Sequence, residues 1–180
     1  MAEEGIASYS VARHKAAARL HVKDARIWPK GVEIQAALAA QQRLFHQGQA
    51  AALEGLRRRA AEVMRRFQRF RPRLVGAVEV GTADTGTPVR LHLFADTPEE
   101  VILALIDRGI PWDERPLDLP YADGRRRQRP LLRFLAGEVT FELLVLPTAE
   151  LHDPPLSPLD DRPERGIALG ELTQRLEMGT

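Results

Sequence analysis

The sequence predicts an α+β protein, with a helical region over residues 1–70 ahead of a domain with a small mixed or antiparallel sheet over residues 71–180. Three observations carry that expectation. Up to Phe70, apolar residues recur at three- and four-residue steps, the pattern of a helix with one buried face. From Arg71-Pro72 the pattern changes to short apolar or alternating runs bounded by turn residues, as strands require. A single strong helix start, Asp96-Thr97-Pro98-Glu99-Glu100, stands among those runs, so helices and strands are largely segregated along the chain.

Taken in order, "SYSVARHKAAARLHV" reads as a first helix with Ser8 or Ser10 as its cap. "IWPKG" interrupts it, because proline and glycine together disfavour continuation. A second helix is expected over about Val32–Gln47 and a third over about Gln49–Phe70. The third carries the clearest stripe, Leu53, Leu56, Ala60, Val63, Phe67 and Phe70. Arg57, Arg58, Arg65, Arg66 and Arg69 fall largely off it. "RLVGAVEV" and "VRLHLFAD" then read as adjacent antiparallel strands joined by a polar turn. The following helix has Thr97 as cap, Pro98 in the first helical position, Glu100 closing a capping box and Gly109 as its stop.

"DERPLDLPY" suits an edge strand, since Pro116 and Pro120 exclude a central one. "RPLLRFLAG" and "EVTFELLVLP" predict two more strands turning at Ala136-Gly137. A proline-rich irregular tail and a short helix over about Ala168–Glu177 complete the chain.

Composition narrows the chemistry. With 180 residues, 44% hydrophobic and 28% charged, the chain suits one domain with a helical appendage. It has no cysteine, which excludes disulfides and thiolate metal sites. Neither a signal-peptide core at "MAEEGIASYSVARHK" nor a membrane-length apolar run is visible, so a cytoplasmic protein with no membrane association is expected. The net charge of +1 conceals two arginine clusters, one over residues 57–73 and one at "GRRRQRPLLR". Such clusters attract phosphate or nucleic acid, or are simply solvated faces, and both readings stay open.

The candidate site lies in "VGAVEVGTADTGTPVRLHLFAD". Gly76 and Gly81 have the glycine spacing of a mononucleotide P-loop, but Thr82 and Ala83 occupy its lysine and hydroxyl positions, which argues against one. The two glycines fit either a strand bulge with a hairpin turn or a phosphate-holding loop. On the strand after them, Arg90, His92 and Phe94 share one face, opposite Val89, Leu91 and Leu93. Glu142, in "VTFELLVL", fits a solvent-facing strand position or a metal ligand.

This stretch resembles the nucleotidyltransferase superfamily of the DNA polymerase β type, whose signature runs G-S-x-x-x-G-x-A-x-x-x-S-D-x-D. Gly76 and Ala77 align with its G-S pair, Gly81 with the next glycine, Ala83 with the alanine and Thr87 with the serine before the acids. Glu142 falls in the slot of the third carboxylate, and the wording is also similar to small bacterial nucleotidyltransferase-like proteins. The resemblance spans about Leu74–Leu146 and implies a sheet of nucleotidyltransferase-like topology. It implies a nucleotide- or phosphate-binding set of Gly76, Ala77, Gly81, Thr82, Thr87, Arg90 and His92.

It also implies Mg²⁺ and a nucleoside triphosphate as cofactors wherever the family activity survives. Pro88 and Arg90, however, stand where the paired metal carboxylates belong. Proline offers no ligand and a guanidinium repels a metal. The expectation is therefore a pseudoenzyme that binds a nucleotide or a partner, with Glu142 as remnant. Two alternatives stand beside it. One is an active transferase whose ligands are rearranged to Glu142 with Asp84 or Asp96. The other is an interaction module using the long arginine-rich helix to meet a protein partner. Nucleic acid is a further option, although few aromatics are present to stack on bases.

Overall fold

The computed structural model describes residues 31–158 and 160–179, with residues 31–47 described by their backbone alone. The first predicted helix and its serine caps lie outside the described residues. The chain divides into two compact units, Met1–Gly48 and Gln49–Thr180. Of the first unit, the described part is helical backbone from Gly31 onward.

The two helices expected over 32–70 are one continuous helix, α1, Gly31–Arg66. The only breaker between them is Gly48, and one glycine in a helix costs about 1 kcal/mol against alanine, which neighbouring turns offset. From Gln49 this helix, with its arginine-rich half, belongs to the second unit. The stripe is spent on that domain's core. Leu56, Ala60, Val63 and Phe67 are buried there, together with Phe70 from a 3₁₀ turn at Gln68–Phe70.

The second unit is built on six strands. They are β1 Arg73–Val75, β2 Val89–Ala95, β3 Asp113–Pro120, β4 Arg126–Ala136, β5 Val139–Pro147 and β6 Ile167–Ala168. Their spatial order is β3-β4-β5-β2-β1-β6. The central pair, β2 and β5, is parallel and every other pair is antiparallel, so the sheet is mixed. A parallel pair requires a crossover. Helix α3, Pro98–Ile106, begins that crossover, and the β3–β4 hairpin completes it. The predicted capping box of α3 is present, with the Thr97 N–H donating to the Glu100 carboxylate at 3.2 Å, and Gly109 at φ 61 turns the chain out of the helix. As expected, β3 with its two prolines is the edge, and Gly137 forms the β4–β5 turn at φ 64.

One predicted strand is shorter than expected. "RLVGAVEV" gives a strand only to Val75, and Ala77–Val80 forms a single helical turn, α2. Gly76 has φ 74 and ψ −154, a combination reserved almost entirely for glycine, and it redirects the chain. Gly81, at φ 92, closes the turn.

Strand alternation sorts the rest. Val89, Leu91 and Leu93 of β2 join Phe141, Leu143 and Val145 of β5 in the main core beneath α1 and α3, to which helix α4, Leu169–Glu177, adds Leu172. The opposite face carries Arg90, His92 and Phe94 beside Glu142, Leu144 and Leu146. There Phe94, Leu144, Leu146 and Leu131 make a smaller apolar cluster, with Leu151 of the 3₁₀ turn Thr148–Leu151 packed on it. Among the described residues, no helix is long and apolar enough to cross a membrane.

Candidate functional site

The redirected chain at Gly76 and the even-numbered face of β2 enclose a cleft of about 220 Å³. Gly76, Ala77, Thr82 and Thr87 line it from the glycine turn, and Pro88, Arg90 and Glu142 from the parallel strand pair. Pro158 and Glu164 reach it from the proline-rich segment. Seven of the nine residues singled out in the sequence thus meet in one place. Gly81 and His92 do not line it. The α1 side chains of Leu53 and Arg57 approach Gly81, and His92 lies beneath the cleft, fully buried. Two other clefts, of about 280 Å³ each, lie at the α1–α4 contact and beside Glu79 and Arg162.

The chemistry centres on Glu142, which is neither a solvent-facing strand residue nor a metal ligand placed among acids. It is 2% exposed and is the direct register partner of Arg90 across the parallel pair and of Arg133 across the β4–β5 pair. Arg90 donates two hydrogen bonds to its Oε2, from Nε at 3.1 Å and Nη2 at 2.7 Å. Oε1 accepts from Arg133 Nη2 at 2.9 Å and Arg115 Nη2 at 3.3 Å. Burial pushes the Glu142 carboxyl up, but the hydrogen bonds and charges of Arg133 and Arg90 outweigh it and hold the group below its ordinary value. Glu142 is therefore an ionised carboxylate enclosed by three guanidiniums.

The acids offered as substitute ligands are committed elsewhere. Asp84 accepts from the Thr87 hydroxyl at 2.6 Å and the Gly86 N–H at 3.2 Å, which closes the turn before β2 and lowers its pKa. Asp96, at the far end of β2, accepts from the Thr148 hydroxyl at 2.7 Å. Among the described residues, no group of three or more His, Cys, Asp or Glu could hold a metal ion.

Three participants were not legible in the sequence. Glu164 lies over His92, with an oxygen 3.2 Å from Nε2 but out of line for a hydrogen bond, so neither ring nitrogen has a hydrogen-bond partner. Gly166 seats that segment against β1, and a β-carbon on it would lie 2.3 Å from the Leu74 carbonyl oxygen. Arg57, expected on the solvated face, is buried and donates to the carbonyls of Val78 at 3.2 Å and Glu79 at 3.0 Å. It thereby satisfies the end of the single turn α2, whose last carbonyls have no partner within the turn. Glu164 and Gly166 lie more than 70 residues from their partners in sequence, and periodicity carries no signal at that range.

The basic clusters are also less open than they look. Arg58, Arg65, Arg66 and Arg69 are exposed as expected. In β4, Arg126 pairs with Asp118, Arg127 with Asp123, Arg129 with Glu150 and Arg133 with Glu142. No protein-family model, curated protein or solved structure matches the chain.

Proposed function

We propose that the protein is a nucleotidyltransferase-like binding protein that holds a nucleotide in the Gly76–Arg90 cleft without two-metal transfer chemistry. The observation that carries this reading is the Arg90–Glu142 pair. The resemblance places Arg90 at a metal-ligand position and Glu142 at the third carboxylate. Those two side chains face each other across adjacent parallel strands, as cooperating ligands would. A guanidinium fills the place of the cation and neutralises the surviving acid, so neither oxygen of Glu142 is free to recruit Mg²⁺.

The rest of the cleft suits a nucleoside. Val75, Ala77, Pro88 and Pro158 give it apolar walls, and the Thr82 and Thr87 side chains stand at its edge. The interaction-module alternative loses its main support, because the apolar stripe of α1 is buried in the core.

The test is titration calorimetry of the full chain with the four ribonucleoside triphosphates, each with Mg²⁺ and with EDTA, alongside a transfer assay using labelled nucleotide. Saturable binding in EDTA with no transfer is the expected result. Robust metal-dependent nucleotidyl transfer would overturn the loss of chemistry, and absence of saturable binding by all four would overturn the nucleotide.

A further inference from the structure

Three cations converge on Glu142, which lines this cleft together with one of them, Arg90. Glu142 lies at the bottom, 2% exposed, while the side chains of Arg90, Arg115 and Arg133 are 31%, 53% and 46% exposed. Within the set bonded to that carboxylate three guanidiniums meet one acid and their exposed parts face outward, while the neighbouring Asp113 and Glu164 form no ion pair with any of the three. A guanidinium carries five N–H donors in a fixed plane. Arg115 and Arg133 each commit one terminal nitrogen to Glu142, which leaves most of their donors without a protein partner.

Two further carboxylates lie nearby. Asp113 is the register partner of Arg133 on β3 but forms no ion pair with it. Glu164 stands over His92 on the β1 side. Because β4 is two strands from β2, the Arg133 backbone lies about 10 Å from that of Arg90, so the two outer arginines reach in from the side away from Glu164.

We infer that Arg90, Arg115 and Arg133 form an anion-receiving site that takes the phosphate groups of the ligand directly, with no bridging metal ion. Guanidinium planes pair with phosphate oxygens through two parallel N–H donors, which makes arginine the suitable residue for this. Glu142 has two roles there. It fixes the three side chains toward one point, and it competes with the arriving anion for their donors. The nucleoside identity of the ligand rests on the reading above, whereas the phosphate site itself does not.

The experiment is calorimetric titration of pyrophosphate and of ATP, both in EDTA, into the full chain and into R115Q, R133Q and E142Q. Each arginine variant should weaken both ligands about tenfold, the loss of one charge-assisted hydrogen-bonding group. E142Q should bind both about tenfold more tightly, because a like charge leaves the site. Circular dichroism checks the fold, and the two arginine substitutions, at half-exposed side chains, keep the test decisive should E142Q misfold.

ATP binding unchanged in R115Q and R133Q would overturn the phosphate site while leaving the nucleotide reading intact. Arginine-dependent pyrophosphate binding, with ATP bound no more tightly than pyrophosphate, would support the site and overturn the nucleotide. Binding of pyrophosphate only when Mg²⁺ is added would overturn the metal-free mode. Failure of both ligands to bind would overturn site and nucleotide together.

Discussion

Replacing Gly166 by alanine should destabilise the sheet domain more than the same change at any glycine in open space, and Gly109 is the control. The two have nearly the same backbone, φ 56 and φ 61, so each G→A substitution carries a similar left-handed penalty of about 1 kcal/mol. Their surroundings differ. A β-carbon at Gly109 meets nothing within 4 Å. At Gly166 it would lie 2.3 Å from the Leu74 carbonyl oxygen and 2.5 Å from Val75 Cγ1, contacts that require β1 or the tail to shift.

Forcing a strand and its neighbour apart by that much costs about 1–3 kcal/mol further, by analogy with overpacked cores. The total is about 2–4 kcal/mol for G166A against about 1 kcal/mol for G109A. At about 4 °C per kcal/mol for a domain of this size, the melting temperature should fall by about 8–16 °C and about 4 °C respectively. Thermal and urea unfolding followed by circular dichroism measure both. Equal losses in the two variants would refute the reasoning, since the contact with β1 would then contribute nothing.

Other expectations follow from the same contacts. Glu142 is held below its ordinary carboxyl value, so the stability it contributes is complete above the unfolded value of about 4.3 and is lost as pH falls through the lower folded value. Urea midpoints between pH 7 and 3 should therefore drop more steeply for the native protein than for E142Q; parallel curves would remove Glu142 as the cause. R57A should cost about 1.5–3 kcal/mol in urea unfolding, because it strips two charge-assisted hydrogen bonds from the Val78 and Glu79 carbonyls, whereas R58A, whose pair with Glu54 is exposed, should cost under about 1 kcal/mol. T97A should lower stability by about 1 kcal/mol through loss of the α3 cap, with T82A on the cleft wall as a comparison expected to be near neutral.

What the sequence made legible was local. The capping box of α3, the edge position of β3 with its prolines, the Gly137 turn and the two faces of β2 each depend on residues within a few positions of one another. Where local signals competed, the outcome turned on one glycine. Gly76 ends a strand that apolar content alone would extend to Val80, and Gly48 fails to end a helix that its neighbours sustain. At the site, the sequence marked Arg90 and Glu142 as positions of interest but not as partners. Their pairing depends on the register of strands 52 residues apart, whereas Arg133 and Arg115 reach Glu142 from 9 and 27 residues away through the β3–β4–β5 register. Arg57 was misplaced because a guanidinium on a helix edge can turn inward when orphan carbonyls lie within reach, and periodicity does not report them.

The Arg90–Glu142 pair also has a consequence for how the centre of the sheet finds its alignment. The runs "VRLHLFA" and "FELLVLP" are so apolar that hydrophobicity alone discriminates weakly among their possible offsets. A slip of one residue would set Glu142 beside Val89 or Leu91 and turn either the carboxylate or the guanidinium into the main core unpaired. The ion pair therefore acts as a key that admits one alignment of β2 on β5. Because that alignment joins segments separated by α3 and a full hairpin, the cleft is completed only when a long-range pairing at the centre of the sheet has closed.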